Sequence, residues 1–392
     1  MLFQALDNKK ECVGVFFEGQ ILDYFPKEIS KTWSFAPYFE DREIEYANLF
    51  CGGKTLDEVC PEHLKDSWNY ISSRMRACLV SFQEAKVDLN DVCFYDLVPK
   101  RFLFDYYNLK NRITEHVFAN YEKPSNHKFL LDLTKLVNEI NTHELNINAK
   151  SISSGMVKYK TREFIKNLSK KESYIEYNIF GTKTGRLTTT KTSFPILTLD
   201  KDHRSILQPN NDAFVEIDYN AAELRVFLGL LGIEQPKGDI HTWIGKNVFN
   251  GKYSRDMVKK KVFAWLYNPE AKNGDLEKIF KKQQILDKYY SNSLVKTYFG
   301  REIPSDDHHA LNYIIQSTTS DLFLRQLIEI HNMLKEKNSY IAFCVHDSFI
   351  IDTTKAEKDL VSDMVRKFSD TPLGFFKVNV SIGKNFGNMN KI

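Results

Sequence analysis

Asp218 stands where an apolar run, Phe214-Val215-Glu216-Ile217, gives way to Tyr219-Asn220-Ala221-Ala222-Glu223-Leu224-Arg225. The run reads as a buried strand. Leu224, Phe227 and Leu228 follow at helical spacing, with Asn220 placed as an N-cap and Glu223 at the capping-box position. A carboxylate at such a junction can hold a cation, or it can simply end a strand. Asp347 is a second acid of the same kind. The apolar runs Tyr340–Val345 and Phe349–Ile351 flank His346-Asp347-Ser348, so a hairpin presents the carboxylate at its tip, although Asp also favours turns on its own account. The third constellation is Arg255, Lys259, Phe263 and Tyr267. Steps of four residues advance about 400° around a helix, so these side chains form one slowly drifting stripe. Two cations and two aromatics on one stripe suit a polyanion carrying a flat base, a nucleoside triphosphate. An amphipathic helix with both aromatics in the core and both cations solvated accounts for the same spacing. Asn268-Pro269 closes the helix in either case.

Smaller pieces surround these three. Thr184-Gly185-Arg186-Leu187-Thr188-Thr189 is a turn exposing an arginine. Asp239-Ile240-His241 opens a helix. Asn312-x3-Gln316-x4-Asp321 sets two amides on one helical face, and Thr297 with Gly300-Arg301 precedes that helix. Each is ambiguous alone, since caps, turns and polar faces use the same residues.

The elements that must position these groups are legible in outline. Cys12 to Phe25 reads as a hairpin turning at Glu18-Gly19-Gln20. Residues 55–110 look helical, with Trp68, Ile71, Met75 and Leu79 on one stripe, and 128–142 form an amphipathic helix. Lys158, Lys160, Arg162, Lys166, Lys170 and Lys171, opposed only by Glu163, read as a solvated helix face or a phosphate contact, and the run taken alone favours the solvated face. No repeat or low-complexity segment is present, and a domain boundary is expected between residues 120 and 180.

Composition narrows the classes. A chain of 392 residues suggests two or three domains. With 42% hydrophobic and 27% charged residues it is globular, and a net charge of +3 excludes a histone-like polycation, so any nucleic-acid surface must be local. None of the six cysteines forms a Cys-x2-Cys pair, which excludes zinc-ribbon and thioredoxin readings. Met1-Leu2-Phe3-Gln4-Ala5 is not a signal peptide, so reduced thiols and a cytoplasmic location are expected. No apolar run reaches the roughly 18 residues of a membrane span.

In this order the motifs resemble the polymerase domain of family A DNA polymerases, the DNA polymerase I family, in a compact, bacteriophage-like form. Asp218-Tyr219-x3-Glu223-Leu224-Arg225 is similar to the family's motif A, the Arg255 to Tyr267 stripe to motif B, and Val345-His346-Asp347 to motif C. Thr184-Gly185-Arg186-Leu187 and Gln316-Ser317-Thr318 are similar to its duplex-contacting motifs. The resemblance covers roughly residues 180–352 and implies an α+β right-hand fold, with an antiparallel-sheet palm, helical fingers and a helical thumb. It implies a thumb at 121–180, palm at 181–228 and 311–392, and fingers at 229–310. It also implies primer-dependent DNA synthesis from dNTPs on a primed template by phosphoryl transfer. Asp218, Asp347 and the Tyr219 carbonyl would hold two Mg2+ ions, with Mn2+ able to substitute. Arg255 and Lys259 would hold the triphosphate, Lys259 also protonating the leaving pyrophosphate. Phe263 would stack on the nucleotide, Tyr267 would pack at the templating position, and His241 would complete the dNTP site. Glu223 would block a ribose 2′-hydroxyl. Arg186, Thr184, Asn312, Gln316, His346 and Arg225 would face DNA. Minor-groove acceptors occur on every base pair, so Arg186 and Gln316 would check geometry without reading sequence. A monomer is implied, with a processivity factor or other replisome proteins as further partners.

Departures from the family pattern matter. Ser348 follows His-Asp where Glu is usual, and His-Asp-Ser is the form in single-subunit bacteriophage-type RNA polymerases, which makes RNA synthesis the alternative. Glu223, Thr-Gly-Arg-Leu and the lack of length for a promoter-binding N-terminal part favour DNA synthesis. A relative that binds nucleic acid without synthesis is the third reading. Ala221 replaces the usual Gln, and Phe194-Pro195-Ile196-Leu197 replaces Pro-Asn-Leu-Gln. Asp41-Arg42-Glu43 is the one Asp-x-Glu early in the chain and lies in a charged setting, so no 3′–5′ proofreading is expected. Residues 1–120 are either a reduced exonuclease remnant or a docking module.

Overall fold

A computed structural model describes residues 1–7, 14–87, 92–268 and 270–392. The chain divides into two compact units, Met1–Lys135 and Leu136–Ile392.

In the first unit, β1 (Phe3–Ala5), β2 (Val15–Phe17) and β3 (Gln20–Leu22) form an antiparallel sheet. β2 and β3 are the expected hairpin, turning at Glu18 and Gly19, which both adopt positive φ. Cys12 lies outside the described residues. The helical reading of 55–110 holds only in pieces. Leu56–Val59 is one turn, Pro61 breaks it, and α1 (Lys65–Glu84) follows; α2 (Lys100–Asn120) begins after Pro99. Proline lacks an amide donor and pushes the residue before it into extended backbone, as at Cys60 with ψ 123°. Trp68 and Ile71 of α1 pack against Ile113 and Val117 of α2. Helix α3 (His127–Thr142), within which the boundary between the units falls, buries Phe129, Leu130, Leu133, Leu136, Val137 and Ile140, the apolar stripe read from the sequence.

The second unit carries the chemistry. Helix α4 (Tyr159–Leu168) exposes Lys160, Arg162 and Lys166, as both readings of the basic run require. Strand β4 (Ala213–Tyr219) leads into α5 (Ala222–Leu230), followed by α6 (Ile240–Asn247), α7 (Arg255–Tyr267) and α8 (Asp307–Leu334). Next come β5 (Tyr340–Val345), β6 (Ser348–Thr353), α9 (Leu360–Ser369), β7 (Val378–Gly383) and β8 (Asn390–Lys391). The five strands form one sheet in the order β5-β6-β4-β7-β8, and every pairing is antiparallel. β6 is buried along its whole length, with Phe349-Ile350-Ile351 as its apolar centre between the buried polar residues Ser348, Asp352 and Thr353. β4 alternates: Val215, Ile217 and Tyr219 are buried while Glu216 and Asp218 share the other face.

Cys51, Cys60, Cys78 and Cys344 are free thiols. Cys93 is disulfide-bonded, which corrects the expectation that all six are reduced. No described helix is long and apolar enough to cross a membrane.

Candidate active site

The sheet brings the two acids together. Asp218 lies one residue from the end of β4, opposite Ser348 on β6 and Asn379 on β7. Asp347 occupies the two-residue turn between β5 and β6, next to His346 at φ 57°. A residue with a Cβ enters this left-handed region at a cost, and the tight β5–β6 turn imposes it here. Burial pushes Asp218 up to about 7, and the charge of Asp347 adds to the rise. Asp347 is also raised, chiefly by burial. Two buried carboxylates that each resist ionisation make a site that favours a cation.

Three residues the sequence reading missed tune this pair. Asn379 donates from Nδ2 to Asp218 Oδ2 at 3.2 Å, and Lys391 Nζ donates to Asn379 Oδ1 at 3.0 Å. Glu216, two residues before Asp218 on the same face, has its own carboxyl raised by burial and adds to the rise at Asp218. The period of two along β4 was the available signal for Glu216. Asn379 and Lys391 come from the last two strands, and no local pattern links them to Asp218. Ser348 is buried, and its hydroxyl donates to the Val345 carbonyl at 3.1 Å, closing the hairpin turn.

The stripe of Arg255, Lys259, Phe263 and Tyr267 faces outward. Helix α7 buries Val258, Val262, Trp265 and Leu266, while Arg255, Lys259 and Phe263 are exposed and Tyr267 is half-buried. The core alternative for Phe263 fails, since the ring is 40% exposed. Burying an aromatic of that size would be favourable, so its position outside the core needs another reason. Lys259 Nζ lies 5.9 Å from the Phe263 ring centre, and Tyr267 lies 5.6 Å from it on the other side. His241 is buried, 6.2 Å from Phe263, with its pKa lowered first by burial and then by the charges of Arg255 and Lys259. Arg255 donates from Nε and Nη2 to Asp239 at 3.1 and 2.8 Å. Burial raises the Asp239 carboxyl, but hydrogen bonds from Arg255, Asn220 and Thr242 outweigh it and hold the group far below the usual range.

A cavity of about 340 Å3 joins the two halves of this site. Its wall includes Arg186, Glu223, Phe263, Tyr267, His346 and Asp347, together with Thr319 and Ser320 of α8. Arg186 Nη2 donates to Glu223 Oε1 at 2.5 Å. Glu223 is raised by burial, with Arg186 pulling it back down. The Tyr267 hydroxyl is buried without a hydrogen-bond partner among the described residues, as is Asn312 Oδ1. Asn312 and Gln316 are half-buried on α8, and Thr184 is 4% exposed inside its turn.

Two expectations are corrected. Asn220 does not cap α5. Ala221 takes the N-cap position at φ 55° with no side-chain cap, and Glu223 turns to Arg186 rather than back to the helix start. Arg225, expected at DNA, is completely buried. Its guanidinium donates to the carbonyls of Asn220, Pro236 and Gly238 and to Asn220 Oδ1. A buried guanidinium must satisfy its donors internally, and these carbonyls fix the loop that leads into α6. Asn220 is thereby recruited to Arg225, to the Ile240 amide and to Asp239, which explains why it is lost as a cap.

No family model matches the chain. It is 24% identical over 279 residues to a DNA polymerase I of Chloroflexus aurantiacus, a match covering 56% of this chain and 29% of that protein. It is 27% identical over 289 residues to a DNA polymerase of Bacillus phage SP01, covering 54% of this chain and 31% of that protein. The matched segment is therefore under a third of the length of either relative. Among solved structures, the POL domain of Pol1 from M. smegmatis, in complex with DNA primer-template and dNTP, superposes with a TM-score of 0.64 at 12% identity. That superposition covers 92% of this chain and 86% of the other. The chain thus resembles the DNA polymerase I family in sequence and has the polymerase-domain fold, a palm-type antiparallel sheet with its motif acids at one end.

Proposed function

We propose that this chain is a template-directed, primer-dependent DNA polymerase, with its palm built on the β5-β6-β4-β7-β8 sheet and its fingers on α6 and α7. The observation that carries the reading is the single cavity shared by Asp347, Glu223, Arg186, Phe263 and Tyr267, beside Asp218. Residues as far apart in sequence as Arg186 and Asp347 meet there, and each is of the type that phosphoryl transfer to a nucleotide requires.

The residues present fit divalent metal. Asp218 and Asp347 are hard oxygen donors in a buried setting, both with raised affinity for a positive partner. Among the described residues no group of three or more candidate ligands is found. Mg2+ keeps several waters and uses one or two carboxylates together with substrate phosphates, so the Asp218 and Asp347 pair suits it. Asp218, Asp347 and the Tyr219 carbonyl would hold it, and when bound it activates the primer 3′-hydroxyl and neutralises charge on the phosphates.

The chain's own residues do the rest. Lys259 and Arg255 meet the triphosphate from the outward face of α7, with His241 of α6 buried beside Phe263, and Phe263 offers its exposed ring to the base and sugar. Lys259 supplies a proton to departing pyrophosphate. Glu223 narrows the cavity at the sugar. Arg186 and Gln316 face the primer terminus. Synthesis proceeds without 3′–5′ proofreading, and the setting is the cytoplasm of a cell. RNA synthesis is the second reading, favoured by Ser348 in place of an acid.

Phe263 provides a specific test. Family resemblance puts a position that governs sugar recognition at Phe263, and Tyr there relaxes it. Phe263→Tyr is expected to raise dideoxynucleotide termination on a primed DNA template by at least about tenfold relative to the unaltered chain, since a new hydrogen bond in a closed site is worth that much. An unchanged termination ladder would remove Phe263 from the nucleotide site. No extension by the unaltered chain would remove the polymerase reading itself.

A further inference from the structure

Arg301 and Asp321 lie outside the cavity and outside every role assigned above. Arg301 donates from Nη2 to Asp321 Oδ1 at 2.6 Å and from Nε to Asp321 Oδ2 at 3.2 Å. The pair is bidentate and buried, with side-chain exposures of 19% and 4%. The main chain of Arg301 is held as well. Its amide donates to Thr297 Oγ1 at 3.1 Å and its carbonyl accepts from the Thr297 amide at 2.9 Å, around Gly300 at φ 82°. The guanidinium is thus fixed from both ends, by a tight turn and by the interior of α8.

The Thr182–Arg186 turn lies directly on this guanidinium. A Cβ on Gly185 would fall 2.5 Å from Arg301 Nη2 and 2.7 Å from Cζ, and Gly185 sits at φ 77°. Only glycine allows so close an approach in that conformation. The next residue is Arg186, whose guanidinium holds Glu223 across the cavity. A continuous physical path therefore runs from Asp321 through Arg301 and the Gly185 backbone to Arg186 and Glu223.

We infer that Arg301 is a positioning residue that, through the Gly185 turn and Arg186, sets where the Glu223 carboxylate stands and hence how strictly the site separates deoxyribonucleotides from ribonucleotides. This rests on the polymerase reading and deepens it. Glu223 alone cannot define a sugar pocket, because a carboxylate on a flexible stem swings unless a partner fixes it. Arg186 is that partner, and it is itself 42% exposed, so its own placement depends on the turn beneath it.

The test uses the full chain on a primed DNA template with Mg2+, and compares kcat/KM for a dNTP and the matching rNTP. Arg301→Lys keeps the charge opposite Asp321 but loses the two-pronged contact. Gly185→Ala puts a Cβ 2.5 Å from Arg301 Nη2 and forces the turn and the guanidinium apart, so it breaks the same contact from the other side should Arg301→Lys fold poorly. Each is expected to lower the dNTP/rNTP preference about tenfold, the scale of one mispositioned contact. Combined with Glu223→Ala, neither is expected to lower the preference further, because all act through one carboxylate. A loosened fold would lower both rates together and leave the ratio unmoved. An unchanged preference in variants that still extend with dNTPs would overturn the inference while leaving the polymerase reading in place. Failure of the unaltered chain to extend would overturn both.

Discussion

Replacing Asp218 by Asn is expected to abolish synthesis while making the metal-free protein harder to unfold at pH 8. The loss follows from the proposed role, since Asn offers no negative charge to a cation or to an attacking hydroxyl. A fall of at least about 10³-fold in primer extension is the scale expected when such a group is removed. The gain in stability follows from linkage. Asp218 has its pKa raised from 3.8 to about 7 in the folded chain. A raised pKa means the folded state binds the proton more tightly than the unfolded state. Its contribution is fully present below about pH 4 and is lost as pH rises through about 7. At pH 8 the folded chain therefore carries the cost of a charged, buried Asp218 beside Asp347, on the order of 2–4 kcal/mol. Asn removes that cost. Thermal unfolding in a chelator at pH 8 is expected to rise by about 5 °C in Asp218→Asn, and the gap is expected to narrow at pH 5. Added Mg2+ is expected to raise the unaltered protein and not the variant. Equal melting temperatures at both pH values would mean that Asp218 is not buried against a second negative charge.

Lys259→Ala has the second largest expected effect. Lys259 is on the exposed face of α7, one turn from Arg255 and one turn from Phe263, and its charge is felt at His241. It is not on the core face of the helix, which is Val258, Val262, Trp265 and Leu266, so truncation leaves that packing intact. A cation meeting both the triphosphate and the leaving group should matter in the ground state and more in the transition state. Loss of proton donation alone is worth about 10²- to 10⁴-fold. Lys259→Ala is expected to lower kcat by that order and to raise KM for dNTP. Lys259→Arg keeps the charge without a readily lost proton, so KM is expected to recover while kcat stays low. Single-nucleotide incorporation separates the two constants. A few-fold change in both variants would place the triphosphate elsewhere.

Local patterning carried the reading furthest where chemistry sits on regular elements. Asp218 at the end of a buried strand and Asp347 at a hairpin tip were legible because alternation and turn chemistry are short-range signals. The stripe on α7 was legible as a stripe, but its direction was not. Which face of a helix turns outward depends on what packs against it, and the Val258, Val262, Trp265 and Leu266 face decides this only in the folded chain. The errors have the same origin. Asn220 has the sequence context of a cap, yet a buried Arg225 needs acceptors and takes it. Arg225 itself reads as a free cation until its three carbonyl partners from two separate loops are seen. Asn379, Lys391, Asp239 as the partner of Arg255, and the Arg301–Asp321 pair all join distant parts of the chain. No spacing rule reaches across the 161 positions between Asp218 and Asn379.

The most direct test of the central claim is primer extension on a short primed DNA template with Mg2+, run in parallel with dNTPs and with rNTPs, for the unaltered chain and for Asp347→Ala. The account predicts extension with dNTPs only, lost in Asp347→Ala. Extension with rNTPs would contradict the sugar gate at Glu223 and give the site to RNA synthesis, with Ser348 as the residue to explain. Template binding without synthesis from either set of nucleotides would contradict catalysis by this chain altogether.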